Sequence, residues 1–175
     1  MDSSEFLSLL RTRSSVRAFY PDAPDSATVD AIASAASLAP SAGNRESWDV
    51  VIVADEEVRR ELADAALGQI HVAEAPIVYV VCANYVRSMS RYGERGILYA
   101  VQDATIACTY MMLAAHAHHL GSCWTGAFDE DEVRGILGLP PHIRPIALLP
   151  VGTPRVSPEK TDRIGIEEHI HRDAW

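Results

Sequence analysis

The stretch ILYAVQDATIACTYMMLAAHAHHLGSCWTGAF, from Ile97 to Phe128, is the longest run in which burial pattern and turn chemistry read together. Between Ala104 and Leu120 it holds no formally charged residue, no Gly and no Pro. Ala, Leu and Met lose little side-chain freedom in a helix, so this composition predicts one. Ile106, Ala107, Cys108, Tyr110, Met111, Met112, Leu113, Ala114 and Ala115 point all round its axis. That is the pattern of a core helix covered on two sides. A membrane span is disfavoured. Gln102 and Asp103 interrupt the first turns and His116, His118 and His119 crowd the end, leaving fewer than the roughly 20 strongly apolar residues a bilayer requires. Gly121 is the expected stop, a C′ residue following histidines that suit the helix dipole.

Working outward, 175 residues predict one domain, 1–175, large enough to bury a core without staples. Hydrophobic residues make up 48% and charged residues 22%, ordinary values for a soluble globular chain. A net charge of -9 disfavours nonspecific binding to nucleic acid or anionic lipid. The Met-Asp-Ser-Ser start has neither a basic nor an apolar signal region, so no secretory leader is expected. Cys82, Cys108 and Cys123 are isolated, which suggests buried thiols in a reducing cytoplasm.

Upstream, Ser3 and Ser4 are capping candidates for a short amphipathic helix carrying Phe6, Leu7, Leu9 and Leu10. Arg11, Arg13 and Arg17 then fall close to Ser14 and Ser15. Guanidinium forks beside short hydroxyls suit a phosphate, and they equally suit a solvated basic turn. Asp25 or Ser26 caps a helix running to about Leu38, which ends in the loop Ala39-Pro40-Ser41-Ala42-Gly43-Asn44.

Val50 to Val53 and Ile77 to Ala83 are continuous apolar runs, the mark of strands covered on both faces. Between them Asp55 caps a helix ending at Gly68, with Gln69 just beyond. Asn84 to Gly96 reads as a polar connection. Asp129 caps a helix ended by Gly138. Ile146 to Gly152 is a third strand, placed by Pro145 and Pro150 at an edge or a bulge. Residues 153–175 have too few apolar positions for a core of their own and must lie on something else.

Several motifs are excluded. Neither G-x-G-x-x-G, a P-loop, G-x-S-x-G nor H-E-x-x-H is present. His116 and His119 share a helix face, but no carboxylate or Cys completes a metal set at local spacing, so no metal is expected. His71 and His142 stand alone and read as structural. Cys123 beside Trp124 is either a redox thiol or, in so apolar a setting, an inert one.

Five segments, in order, resemble the flavin-dependent nitroreductase family. They are Arg13 to Phe19, Pro40 to Trp48, Tyr99 to Leu113 with its Gln102-Asp103 pair, Gly121 to Phe128, and Val151-Gly152-Thr153-Pro154 followed by Lys160 and Arg163. The chain departs from many relatives in carrying Glu46-Ser47 for Gln-Pro and in spacing its late basic pair as Lys-Thr-Asp-Arg.

The resemblance implies an α+β fold, a three-layer α/β/α arrangement with a mixed, mainly antiparallel central sheet. It also implies an intertwined homodimer with FMN at the interface and a C-terminal arm, about 153–175, wrapping the partner. Arg13, Ser14 and Ser15 resemble the segment that holds the FMN phosphate and ribityl chain, completed by Lys160 and Arg163. Pro40, Ser41, Ala42 and Asn44 resemble the loop that the second subunit brings to the flavin, and Gln69 the amide at its pyrimidine edge. Trp124, Thr125 and Gly126 resemble the loop by the ring, where the Gly126 N–H reaches flavin N5. The implied activity is ping-pong hydride transfer from NADH or NADPH through FMN to an electron-poor acceptor, a nitroaromatic, quinone or enone. Two alternatives remain open at this point: a flavin-binding or regulatory module with little turnover, and a specialised dehalogenase, flavin-fragmenting enzyme or ring dehydrogenase.

Overall fold

A computed structural model describes residues 2–157 and 161–175; Lys160 lies outside the described residues. The fold is built around β2 (Ile77–Asn84), in which every residue is buried. Successive side chains of a strand point to opposite faces. Ile77, Tyr79, Val81 and Ala83 accordingly join one apolar cluster, and Val78, Val80 and Cys82 the other. Two cores on one strand require a layer on each side, and the architecture is the expected three-layer α+β.

On the first face lie α2 (Ser26–Ala35) and α6 (Arg95–Ala117), the latter through Ala100, Ala104, Ala107, Cys108, Met111 and Ala115. On the second lie α3 (Glu56–Ala65), α4 (Ile70–Glu74) and α7 (Glu130–Leu137), through Leu62, Ala65, Val72 and Val133. The sheet runs β1 (Trp48–Val53), β2, β4 (Ile143–Gly152), β3 (Gly121–Ser122), with every neighbour antiparallel. Its parallel component is a single bridge between Ser15 and Ser122. Asp25, Asp55 and Asp129 cap α2, α3 and α7 as their sequences predict. In α1 (Ser3–Thr12) the cap is Asp2, in a reciprocal box with Glu5, and not Ser3 or Ser4.

Several expectations are corrected. The central helix begins at Arg95 and continues through Gln102 and Asp103, whose buried carboxylate turns in to the Ala42 and Ser47 amides of the neighbouring loop. Its left-handed exit residue is His119, φ 60°, and not Gly121. Gly121 belongs to β3, where a Cβ would lie 2.6 Å from the Val16 side chain, so the glycine admits the N-terminal segment to the sheet. Only one stripe of α6 is covered by the chain itself; Leu98 is 52% and Tyr110 37% exposed. By length and composition α6 would also pass for a membrane span, and here its buried stripe lies on the sheet.

The connection after β2 is a helix, α5 (Tyr85–Tyr92), capped by the Asn84 side chain. Strand β1 is an edge strand, with Ile52 exposed, and is not covered on both faces. Strand β4 is internal, so Pro145 marks the bulge and not an edge: the register steps from Val81–Ala147 to Cys82–Pro145, leaving Ile146 extra. In the tail, Ile164, Ile166, Ile170 and Trp175 are exposed.

Candidate functional site

Three pieces of backbone position the residues singled out in the sequence. The first is the exit of α1. Arg13, the C-cap, is extended (φ -62°, ψ 132°), so the chain leaves the helix there and carries Arg13 and Ser14 to a cavity of about 230 Å³. His116 and His119, from the end of α6, line its other side. Nη1 of Arg13 is buried with no hydrogen-bond partner among the described residues. An unsatisfied buried donor is costly, and one on a permanent cation marks a place where an anion fits.

The Thr12 hydroxyl donates to the Ser8 carbonyl at 2.8 Å. Its 2.9 Å contact with His116 Nε2 ties the imidazole to α1, the imidazole donating when the hydroxyl proton lies on Ser8. Burial, then the Arg13 charge and His119, pull His116 below the usual imidazole value of 6.5. Ser15 lies alongside, bridged to Ser122, while the neighbouring Val16 N–H donates to the Ser122 carbonyl at 3.0 Å.

The second piece is the loop after α2. Pro40, Ser41 and Ala42 face Tyr99, Gln102 and Ile106 of α6 across a cleft of about 460 Å³. Asp103, 2% exposed, pins this loop: its carboxylate accepts the Ala42 N–H at 2.8 Å and the Ser47 N–H at 3.2 Å. Ser41 Oγ accepts the Glu46 N–H at 3.0 Å. Gly43, Asn44 and Glu46 all have positive φ, and a Cβ on Gly43 would collide with the Tyr92 hydroxyl of α5. Asn44 is exposed and does not line the cleft.

The third piece is the segment after β3. Thr125 exchanges both backbone hydrogen bonds with Leu148 at 2.9 Å. Its buried hydroxyl meets His71 Nε2 at 2.8 Å. Gln69 Nε2 donates to the Ala66 and Ala127 carbonyls, each at 2.9 Å, which leaves its Oε1 uncommitted. Burial, then the nearby Arg17 charge, depress the His71 pKa, so the imidazole is neutral at pH 7. Between these two anchors Gly126 is exposed, and its N–H has no acceptor among the described residues.

The structure thus brings Arg13 and Ser14 into one cavity, Pro40, Ser41 and Ala42 into a second, and Gln69 together with Trp124, Thr125 and Gly126 into a third neighbourhood. Arg163 is exposed and does not line the Arg13 cavity. Sequence reasoning placed Arg17 in the basic segment and weighed His116 as a metal ligand, but it read His71 as merely structural and missed the anchoring role of Asp103. The only local signal for His71 was its position two residues after Gln69.

The chain matches the family model described as Nitroreductase family over residues 10–76 and 69–153. It is 31% identical over 179 residues to an Archaeoglobus fulgidus protein assigned as an NADH dehydrogenase/NAD(P)H nitroreductase, covering 98% of this chain and 99% of that one. It is 25% identical over 175 residues to a Bacillus subtilis FMN reductase (NADPH), covering 92% and 70%. The structure of B. megaterium NfrA2 superposes with a TM-score of 0.92 at 25% identity, covering 100% of this chain and 76% of that one. The family model accounts for nearly all of the segment that carries the three neighbourhoods, and this chain belongs to the nitroreductase family.

Proposed function

We propose that the protein is an NAD(P)H-dependent FMN oxidoreductase. The observation that carries this reading is a buried guanidinium nitrogen of Arg13, without a partner among the described residues, on a side chain that lines a cavity large enough for a phosphate. Arg13 and Ser14 fit the phosphate, with Ser15 beside them; Lys160 and Arg163 complete that end in this proposal. Among the described residues Gln69 Oε1 and the Gly126 N–H have no partner, and they are an acceptor suited to a ring N–H and a donor suited to a ring nitrogen. Pro40, Ser41, Ala42 and Asn44 form a wall that a second copy presents to the same ring. Bound there, FMN supplies two-electron chemistry at N5.

The chain's own groups bind, orient and exclude water. Three titratable side chains of these neighbourhoods serve other partners, His71 the Thr125 hydroxyl, His116 the Thr12 hydroxyl and Asp103 the loop amides, consistent with reactivity residing in the cofactor. In this reading the donor nicotinamide and an electron-poor acceptor, such as a nitroaromatic, quinone or enone, occupy the same space in turn.

The working form is a homodimer of single-domain chains, each with an arm of about residues 153–175 laid on its partner. The exposed side of α6 and the exposed apolar residues of the arm support that assembly. Three buried free thiols suit a reducing cytoplasm. The test is the absorption spectrum of the purified protein, followed by anaerobic mixing with NADH and NADPH and reoxidation by a quinone. Yellow protein that bleaches and recovers supports an enzyme. Yellow protein that never bleaches supports a binding module, and colourless protein that ignores added FMN refutes both.

A further inference from the structure

Helix α4 is only five residues long, yet two side chains at its start converge on one loop from the same side. Gln69, its N-cap residue, donates to the Ala127 carbonyl at 2.9 Å. His71, in its first turn and 7% exposed, meets the Thr125 hydroxyl at 2.8 Å. The two bonded residues flank Gly126, whose backbone N–H, like those of Trp124, Ala127 and Phe128, has no acceptor among the described residues, and which is the exposed glycine held between the two bonds. A buried histidine hydrogen-bonded to a buried hydroxyl 54 residues away is a specific tertiary link and not general packing.

We propose that His71, acting with Gln69, is a positioning residue that clamps Thr125 and Ala127 so that the Gly126 N–H is held in a fixed direction toward the bound flavin. The inference rests on the FMN reading above. Nothing in the clamp touches a reacting atom. His71 acts through Thr125, and its neutral state lets one ring nitrogen face the hydroxyl without a charge being buried. Burial, and after it the Arg17 cation, oppose protonation against a smaller pull from Glu74. Fixing a donor matters because a preorganised N–H is effective only when its direction is set before reaction. The backbone pairing of Thr125 with Leu148 holds one end of the loop to β4. From α4, His71 fixes the Thr125 side chain at that same end, and Gln69 supplies the attachment on the far side of Gly126, at Ala127.

The test compares His71→Leu, His71→Gln and Thr125→Val with the parent protein in two states. In the flavin-free state, ¹⁵N relaxation of Gly126 and amide exchange of Thr125, whose N–H is bonded to Leu148, are measured. Faster exchange and greater mobility in His71→Leu, restored in His71→Gln, support the clamp, and unchanged Gly126 behaviour overturns it. In the FMN-loaded state, the ¹⁵N shift of flavin N5 and the rate of anaerobic reduction are measured. The clamp requires the N5 signal of His71→Leu to move toward that of unbonded flavin and reduction to slow about tenfold, with FMN affinity changed much less. Thr125→Val should reproduce both effects, and the double variant should be no worse than either single one. If His71→Leu fails to fold, Thr125→Val carries the test alone. A parent protein that takes up no FMN removes the flavin reading and the clamp's purpose with it. A parent that binds FMN while the variants leave N5 unmoved removes the clamp only.

Discussion

Replacing Asp103 by Ala removes both acceptors that hold the loop carrying Pro40, Ser41 and Ala42. The Ser47 N–H belongs to a residue with no exposed surface, so it stays buried without a partner and costs about 2 kcal/mol. The Ala42 N–H is only partly buried and can rehydrate, adding about 1 kcal/mol. The sum, about 3 kcal/mol, would move a urea midpoint by about 1.5 M for a slope of about 2 kcal/mol per M. Asp103→Asn keeps one acceptor but turns an NH₂ toward the other amide, so its loss should fall between parent and Ala. Urea unfolding of the flavin-free protein, followed by far-ultraviolet circular dichroism, measures this. Limited trypsin digestion supplies a local readout, because the exposed Arg45 sits in the pinned loop and should be cut faster once it is released. A midpoint shift below about 0.3 M together with unchanged cleavage at Arg45 would refute the assignment of Asp103 as the loop's anchor.

Other consequences can be measured directly. Arg13→Ala should weaken FMN binding by roughly 1.5–3 kcal/mol, or about 10- to 150-fold, read by quenching of flavin fluorescence. Protonated His116 would add a cation to the Arg13 cavity, so FMN affinity should rise as pH falls below the ordinary imidazole value of 6.5, where His116 takes up its proton. His116→Gln should flatten that rise. In the flavin-free protein the folded-state values of His71 and His116 are both depressed, so the unfolded chain binds more protons near their ordinary 6.5. Their contribution to stability is present above that pH and lost as pH drops below it, which thermal melts at pH 8 and 6 should register. Burial pushes the Cys82 and Cys108 thiols up to about 12, so neither should react with a disulfide reagent at pH 8 until the protein is unfolded.

What could be read in advance follows physical lines. Strand β2 was legible because a strand buried along its whole length demands a continuous apolar run, here Ile77 to Ala83. The caps of α2, α3 and α7 were legible because an Asp side chain answers the amides two or three residues on. Strand β1 misled, since Val50 to Val53 looks the same whether its edge is covered or open. Helix α5 was hidden because its buried position is Ser88, and it meets α6 at Gly96, where a Cβ would lie 2.6 Å from the Met89 nitrogen. Small residues at a close crossing leave no apolar stripe to detect. Asp103 looked like a polar interruption because its partners lie 61 and 56 residues away. The Arg13, Pro40 and Thr125 segments were visible as candidates from residue type, but their separation into three neighbourhoods depends on how the chain folds.

The uncovered side of α6 and the apolar residues of the arm carry a thermodynamic signature. If a second copy shields them, part of the free energy of folding is borrowed from association, and the melting point becomes a function of protein concentration. Each tenfold dilution would then remove about 1.4 kcal/mol of apparent stability per dimer. The titre at which the protein is kept would decide how long it lasts.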